Sequence, residues 1–313
     1  MNHAPRLLWM CILTLPLIAC HRADMHSKLI AIIIPSQDNP YFKAEGDAAS
    51  ARAQSLGYRT RIDSHNDDAY RQDNLIDAAI ASNAVAIILD NAGSEASIAA
   101  VRRAANAGIA IFLIDREIKT SGVAKAQIIA DNYQGARIVA QEFVHAIGPS
   151  GKYAELLGRE SDTNAQIRTS GFHAILDKYP GLSRVSAQSA NWSQSEAFQK
   201  TETMLQAHGD IAGIISGNDT MALGAAAAAK SAGLPHIQIT GFDGSPDAVN
   251  AIQAGTLRAT TLQPAVVIAR LAVDEADTFL RTHSTGKPEK QVIACDLVTQ
   301  ANAQDYRDFE KIR

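Results

Sequence analysis

Apolar residues in this chain fall in short unbroken runs, separated by longer stretches of helical period. The first run, 29–34, is wholly apolar and rich in β-branched residues. That composition suits a strand buried on both faces of a parallel sheet. Pro35 stops the run, and Ser36, Gln37, Asp38 and Asn39 form a polar loop. Pro40 opens a helix over 41–56, where its missing N–H costs nothing, and Gly57 closes it. Further strands are predicted at 58–63, 85–89, 109–114 and 126–130, with helices at 68–82 and 94–107.

The same rhythm then starts again. Helices are predicted at 133–147, 164–178, 193–207, 218–232 and 265–281. Strands are predicted at 152–157, 182–188, 211–215, 237–240 and 259–262, with a last one near 292–298. Such alternation marks parallel sheets wrapped by helices. The fold class is therefore α/β, with two doubly wound parallel-sheet domains in series. No low-complexity linker separates them, so the chain is expected to cross between them more than once. The cleft between two such sheets is the natural ligand site.

Composition changes this picture in two places. Lys plus Arg number 29 against 33 Asp plus Glu, which gives no reason to expect nucleic acid or an anionic surface as partner. Residues 1–20 differ in kind, with Arg6 ahead of an apolar segment, 7–19, that is short for a bilayer span. We read them as an export signal. Leu17, Ile18, Ala19 and Cys20 resemble a bacterial lipobox, in which the cysteine becomes the lipidated first residue. Cleavage nearby with release of the mature chain is the alternative. Either way the protein is expected to be exported to the periplasm, with membrane contact only through a lipid on Cys20. Cys295 then has no partner, so no disulfide framework is expected and its role is buried packing.

Candidate chemistry gathers at the strand ends. Asp90-Asn91, Asp115-Arg116, Asp131-Asn132, Asn218-Asp219, Asp243 and Gln263 all follow predicted strands. Aromatics make up only 5% of the chain, yet Tyr41 and Phe42 flank the first loop and Trp192 ends a strand of the second array. Singly, these residues are ordinary caps, turns or surface pairs. Together they have the composition a polyhydroxyl ligand needs. Amides and carboxylates pair with hydroxyls, arginine donates a planar fork, and aromatic faces cover ring C–H groups. Nucleophile elbows, zinc-helix motifs and glycine-rich cofactor loops are not found, and the nine histidines are scattered. No catalysis, cofactor or metal is expected.

The segments Asn39-Pro40-Tyr41-Phe42, Ile114-Asp115-Arg116, Ala130-Asp131-Asn132, 218–224, Gly241-Phe242-Asp243-Gly244 and 259–263 stand in a characteristic order and spacing. In them the chain resembles the ribose-type solute-binding proteins of ABC sugar transporters, the periplasmic binding protein type I group. The resemblance covers 28–313. It implies a monosaccharide between Tyr41, Phe42 and Asn39 on one wall and Trp192 on the other. It further implies that Asp115 and Arg116 bind ring hydroxyls, and that Asn218, Asp243 and Gln263 add hydroxyl ligands. Arg168 stands in the run Asn164-Ala165-Gln166-Ile167-Arg168. The family places its arginine where Gln166 stands, so Asn164, Gln166 and Arg168 are all candidates. The loop 35–38 also departs from the ribose pattern, which makes Gln37 and Asp38 candidates for what distinguishes this sugar.

The family fold implies crossings near Asp131, Gln263 and Gln291. The N-terminal domain would comprise 28–131 plus 264–291, and the C-terminal domain 132–263 plus 292–313. Permease subunits are the implied partners of a monomeric protein. A sugar-responsive transcription regulator shares this core, but it needs a DNA-binding headpiece where 1–27 hold a signal. A binding protein that presents sugar to a chemoreceptor or histidine kinase is the remaining alternative.

Overall fold

A computed structural model describes residues 28–313; the signal at 1–20 and Cys20 lie outside the described residues. The first half runs β1 (Leu29–Ile34), α1 (Pro40–Ser55), β2 (Arg59–Ser64), α2 (Ala69–Ala81), β3 (Ala86–Leu89), α3 (Ile98–Asn106), β4 (Ala110–Ile114) and β5 (Ala126–Ala130). The second runs α4 (Asn132–Ile147), β6 (Ser150–Leu157), α5 (Thr163–Leu176), β7 (Gly181–Ser189), α6 (Gln194–Ala207), β8 (Ile211–Ser216) and α7 (Asp219–Ser231). It continues with β9 (Gln238–Thr240), α8 (Pro246–Gln253) and β10 (Ala259–Leu262). After α9 (Ala265–Thr282) come β11 (Lys290–Ile293), β12 (Asp296–Thr299) and a small hairpin, β13 (Tyr306–Arg307) with β14 (Glu310–Lys311).

Two six-stranded sheets result. One has the order β11-β5-β4-β3-β1-β2 and is parallel throughout. The other has the order β12-β10-β9-β8-β6-β7 and is parallel except for β12, which runs antiparallel to β10. Ile30, Ile32 and Ile34 of β1 pack into one core and Ala31 and Ile33 into another, so the strand is covered on both faces. Helix starts follow local capping rules. Asn39 accepts the Tyr41 N–H at 3.0 Å beside Pro40, and Asp68, Asp131, Asp162, Ser193 and Asn218 cap the helices that follow them. The alanine-rich α7 packs closely on α6, because a Cβ at Gly224 would lie 2.3 Å from the Gln194 carbonyl.

In the first sheet the strand order reverses between β1 and β3, and in the second between β6 and β8. Ligands of open α/β sheets bind beyond the carboxyl ends of strands at such reversals. The two halves meet across the cleft, where Arg116, after β4, lies 2.8 Å from Asp162, ahead of α5.

The chain crosses between the halves at Asp131, at Gln263-Pro264 and at Ala294-Cys295. The third crossing lies beyond the expected Gln291. Gln291, Val292 and Ile293 still pair with Ile128, Ile129 and Ala130 in the first sheet, so the expected strand near 292–298 is two strands in different sheets. Three further details differ from the sequence reading. Helix α3 begins at Ile98 after a turn, while α8 and the closing hairpin were not foreseen.

Candidate functional site

The N-terminal wall is built by the ends of β1 and β4. Helix α1 presents Tyr41 and Phe42 from its first turn, with their rings edge to face at 5.7 Å. Phe309, at the tip of the closing hairpin, backs Tyr41 at the same distance. Asp115 follows β4 with φ 57°, a left-handed backbone uncommon outside glycine. Arg116 beside it is buried among carboxylates, with Asp67 and Asp162 at 2.8 Å, Asp90 at 3.5 Å and Asp115 at 3.7 Å. Burial alone would lower the guanidinium pKa, but these four carboxylates outweigh it and hold the group firmly charged. Burial raises the Asp67 carboxyl, yet Arg116 wins and its pKa is lowered.

The C-terminal wall is built by the ends of β6, β7, β8 and β9. Trp192 follows β7 with φ 66°, an outlier for so bulky a side chain, and Asp243 follows β9 with φ 122°. Strained backbone of this kind concentrates at functional sites. The indole N–H donates to Asp162 at 3.2 Å. Arg168 donates to Asn132 at 2.7 Å, to the Gly217 carbonyl at 2.8 Å, to Asp243 at 3.2 Å and to Gln263. Its guanidinium stacks 3.9 Å from the centre of the Phe242 ring. Burial raises the Asp243 carboxyl well above its ordinary range, against the pull of Arg168.

The walls already touch. Asn164 donates to Asp115 at 3.1 Å, and Gln263, at a crossing, donates to the Tyr41 hydroxyl and to Asp115. Asn39, Tyr41, Phe42, Asp115, Asn164, Arg168, Trp192, Asn218 and Asp243 line one small cavity between the halves. Arg116 and Gln263 reach it through Asp115. Asp38 lies instead in a wider cleft of about 750 Å³ that shares Asn39, Phe42 and Trp192 with the cavity. Gln37 is exposed. Gln166 is exposed as well and bonds the Glu160 carbonyl, so the structure does not bring it to the cavity.

Several polar residues in or around the site escaped the sequence reading. Asp162 lines the cavity and bonds both Arg116 and Trp192; its signal was the capping position before α5. Asp67 pairs with Arg116 and, at 3.3 Å, with Arg159 of the other half. His65 props the Asp67 turn, accepting its N–H at 3.0 Å while its other nitrogen lies 2.8 Å from the Asp90 carbonyl. Cys295 is buried, and burial pushes its thiol up to about 12.

Chemically, the cavity offers carboxylates, amides and a fork-shaped cation between aromatic faces, a set suited to neutral hydroxyl groups. Among the described residues no group of three or more His, Cys, Asp or Glu is placed to hold a metal ion. No helix among them is long and apolar enough to cross a membrane.

Residues 30–284 match the periplasmic binding protein domain family. The chain is 55% identical over 290 residues to a D-apiose import binding protein of Paraburkholderia graminis, covering 93% of each chain. It is 31% identical over 253 residues to a ribose import binding protein of Haemophilus influenzae, covering 80% of this chain and 85% of that one. Among solved structures, an ABC transporter periplasmic solute-binding protein of Actinobacillus succinogenes with bound D-allose is similar at a TM-score of 0.83 and 27% identity, covering 89% of this chain and 100% of that chain.

Proposed function

Since the chain belongs to the periplasmic binding protein family, we propose that it is the substrate-binding component of an ABC sugar importer. It takes a monosaccharide into the cleft between its two sheets and delivers it to a membrane permease. The observation that carries this reading is a cavity in which hydroxyl-binding groups from both sheets converge, with Tyr41 and Phe42 on one side and Trp192 on the other. D-apiose, for which relatives of 55% and 54% identity are named, is the first ligand to test.

In this reading Asp115, Asn164, Arg168 and Asp243 bind ring hydroxyls, Arg116 holds Asp115 and Asp162 in place, and Asn39, Asn218 and Gln263 complete the set. Trp192 covers one face of the ring. Sugar bound to both walls favours the closed form, which the permease reads. The protein acts in the periplasm as a monomer, tethered through a lipid on Cys20, and catalyses no reaction.

A thermal-shift series with D-apiose, D-ribose, D-allose and myo-inositol tests the proposal. A ligand that binds only the folded state raises Tm with the logarithm of its excess over Kd. D-apiose is expected to give the largest rise. A flat response to every sugar overturns the reading.

A further inference from the structure

Asp162, the capping residue of α5, is only 4% exposed, yet it touches both halves of the molecule. Its Oδ1 accepts the Asn164 N–H at 2.9 Å. Its Oδ2 accepts the Trp192 indole N–H at 3.2 Å and lies 2.8 Å from Nε of Arg116. Asn164 and Trp192 belong to the second half of the chain, and Arg116 to the first. Arg116 in turn stacks over Phe42, with its guanidinium carbon 5.0 Å from the ring centre. A hydrogen bond, an ion pair and a cation–π contact thus run from Trp192 on one wall to Phe42 on the other, with the Asp162 carboxylate in the middle.

Each end of this link is held by its own half. Asp67, Asp90 and Asp115, the other carboxylates facing Arg116, all come from the first half. The Asn91 carbonyl accepts from the same guanidinium at 3.1 Å. The indole packs tightly on the second half, where a Cβ on Gly217 would lie 3.1 Å from Trp192 Cζ3. The contact between Asp162 and Arg116 crosses the cleft, so separation of the halves breaks it and closure restores it. Each closure then returns the indole to the same place relative to Phe42. Both rings line the cavity, so their relative placement decides which ring shapes fit between the walls.

We propose that Asp162 is a positioning residue that couples closure of the cleft to the alignment of Trp192 with the opposite wall, and so narrows the choice of sugar. The proposal rests on the sugar-binding reading above. Both carboxylate oxygens are engaged by protein groups, so Asp162 acts through Trp192 and Arg116.

The test compares the full chain with Asp162→Asn, Trp192→Phe and the double variant. Asparagine caps a helix as well as aspartate does and keeps an oxygen for the indole, but it loses the charge that faces Arg116. Trp192→Phe keeps an aromatic face and loses the N–H. Titration calorimetry with D-apiose, D-ribose and D-allose is expected to show each single variant binding the preferred sugar roughly 10-fold more weakly, with smaller differences among the three sugars. The two losses should overlap, so that the double variant binds several-fold better than their product predicts. Small-angle scattering of sugar-free Asp162→Asn should give a larger radius of gyration than the parent, at an unchanged Tm, and saturating sugar should remove the difference. Parental affinity in Asp162→Asn overturns the proposal, as do losses that multiply in full. Unfolding of Asp162→Asn, or a lower sugar-free Tm at an unchanged radius, overturns it too, because Asp162 would then be a helix cap and nothing more. If the parent itself binds none of the sugars, the sugar-binding reading falls and this role falls with it.

Discussion

The indole of Trp192 fills the space that a side chain at position 158 would need. A Cβ on Gly158 would lie 1.9 Å from Trp192 Cη2. The aromatic face of the C-terminal wall therefore depends on a bare backbone just past β6. Gly158→Ala must push the indole toward the cavity or out of its slot. Overpacking of this kind costs about 1–3 kcal/mol. Urea unfolding should show that loss, and calorimetry should show sugar affinity falling with it.

Trp192→Ala removes the ring face without crowding the slot. Lost aromatic burial and stacking predict weakening on the order of 100-fold. Titration calorimetry of the variant checks this, and near-parental affinity would remove Trp192 from the ligand wall.

Arg168 balances Asp243 while tying it to Gly217, Asn132 and Gln263. Arg168→Met leaves a buried carboxyl without its cation, which predicts a loss of about 3–5 kcal/mol. Arg168→Lys keeps the charge but not the planar fork, and should recover only part of it. Denaturant midpoints of the two variants measure both effects.

His65 gives the fold an acid sensitivity with a definite sign. Burial, helped by Arg116 and opposed by the Asp90 carbonyl, lowers its pKa from 6.5 to about 4. As pH falls, the unfolded chain takes up the proton first, so the contribution is full above 6.5 and is lost as pH drops toward 4. The total loss is roughly 3 kcal/mol. Stability measured from pH 7 to 4 should fall less steeply in His65→Gln.

Asp67 and Arg159 form an ion pair across the cleft mouth, partly open to solvent. Arg159→Ala should change stability by less than about 1 kcal/mol. It should nonetheless weaken closure in the absence of sugar. Small-angle scattering is expected to give a larger radius of gyration than the parent at low salt, with the difference shrinking as salt screens the pair.

Much of the architecture could be read from the chain, because buried parallel strands leave an uninterrupted apolar signature. Residues 29–34 are the clearest case, and the start of α1 at Pro40 followed from local chemistry. What escaped was set by long-range placement. Gln166 lies between Asn164 and Arg168 in sequence, but those two share a helix face at i, i+4 and Gln166 does not. The structure accordingly turns Gln166 to solvent and the other two inward. Asp162 was hidden by an expected helix start at 164, and Phe309 by a hairpin whose docking on Tyr41 no local pattern announces.

The slot that holds Trp192 also fixes what light can report. The chain has two tryptophans, and the other, Trp9, lies outside residues 28–313. Emission from residues 28–313 therefore arises from one indole, whose N–H faces Asp162 and whose ring lies 5.5 Å from the Arg168 guanidinium. Changes in hydration or charge at the cleft act directly on that chromophore. Unlabelled protein thus carries its own optical probe at the seam between the two sheets.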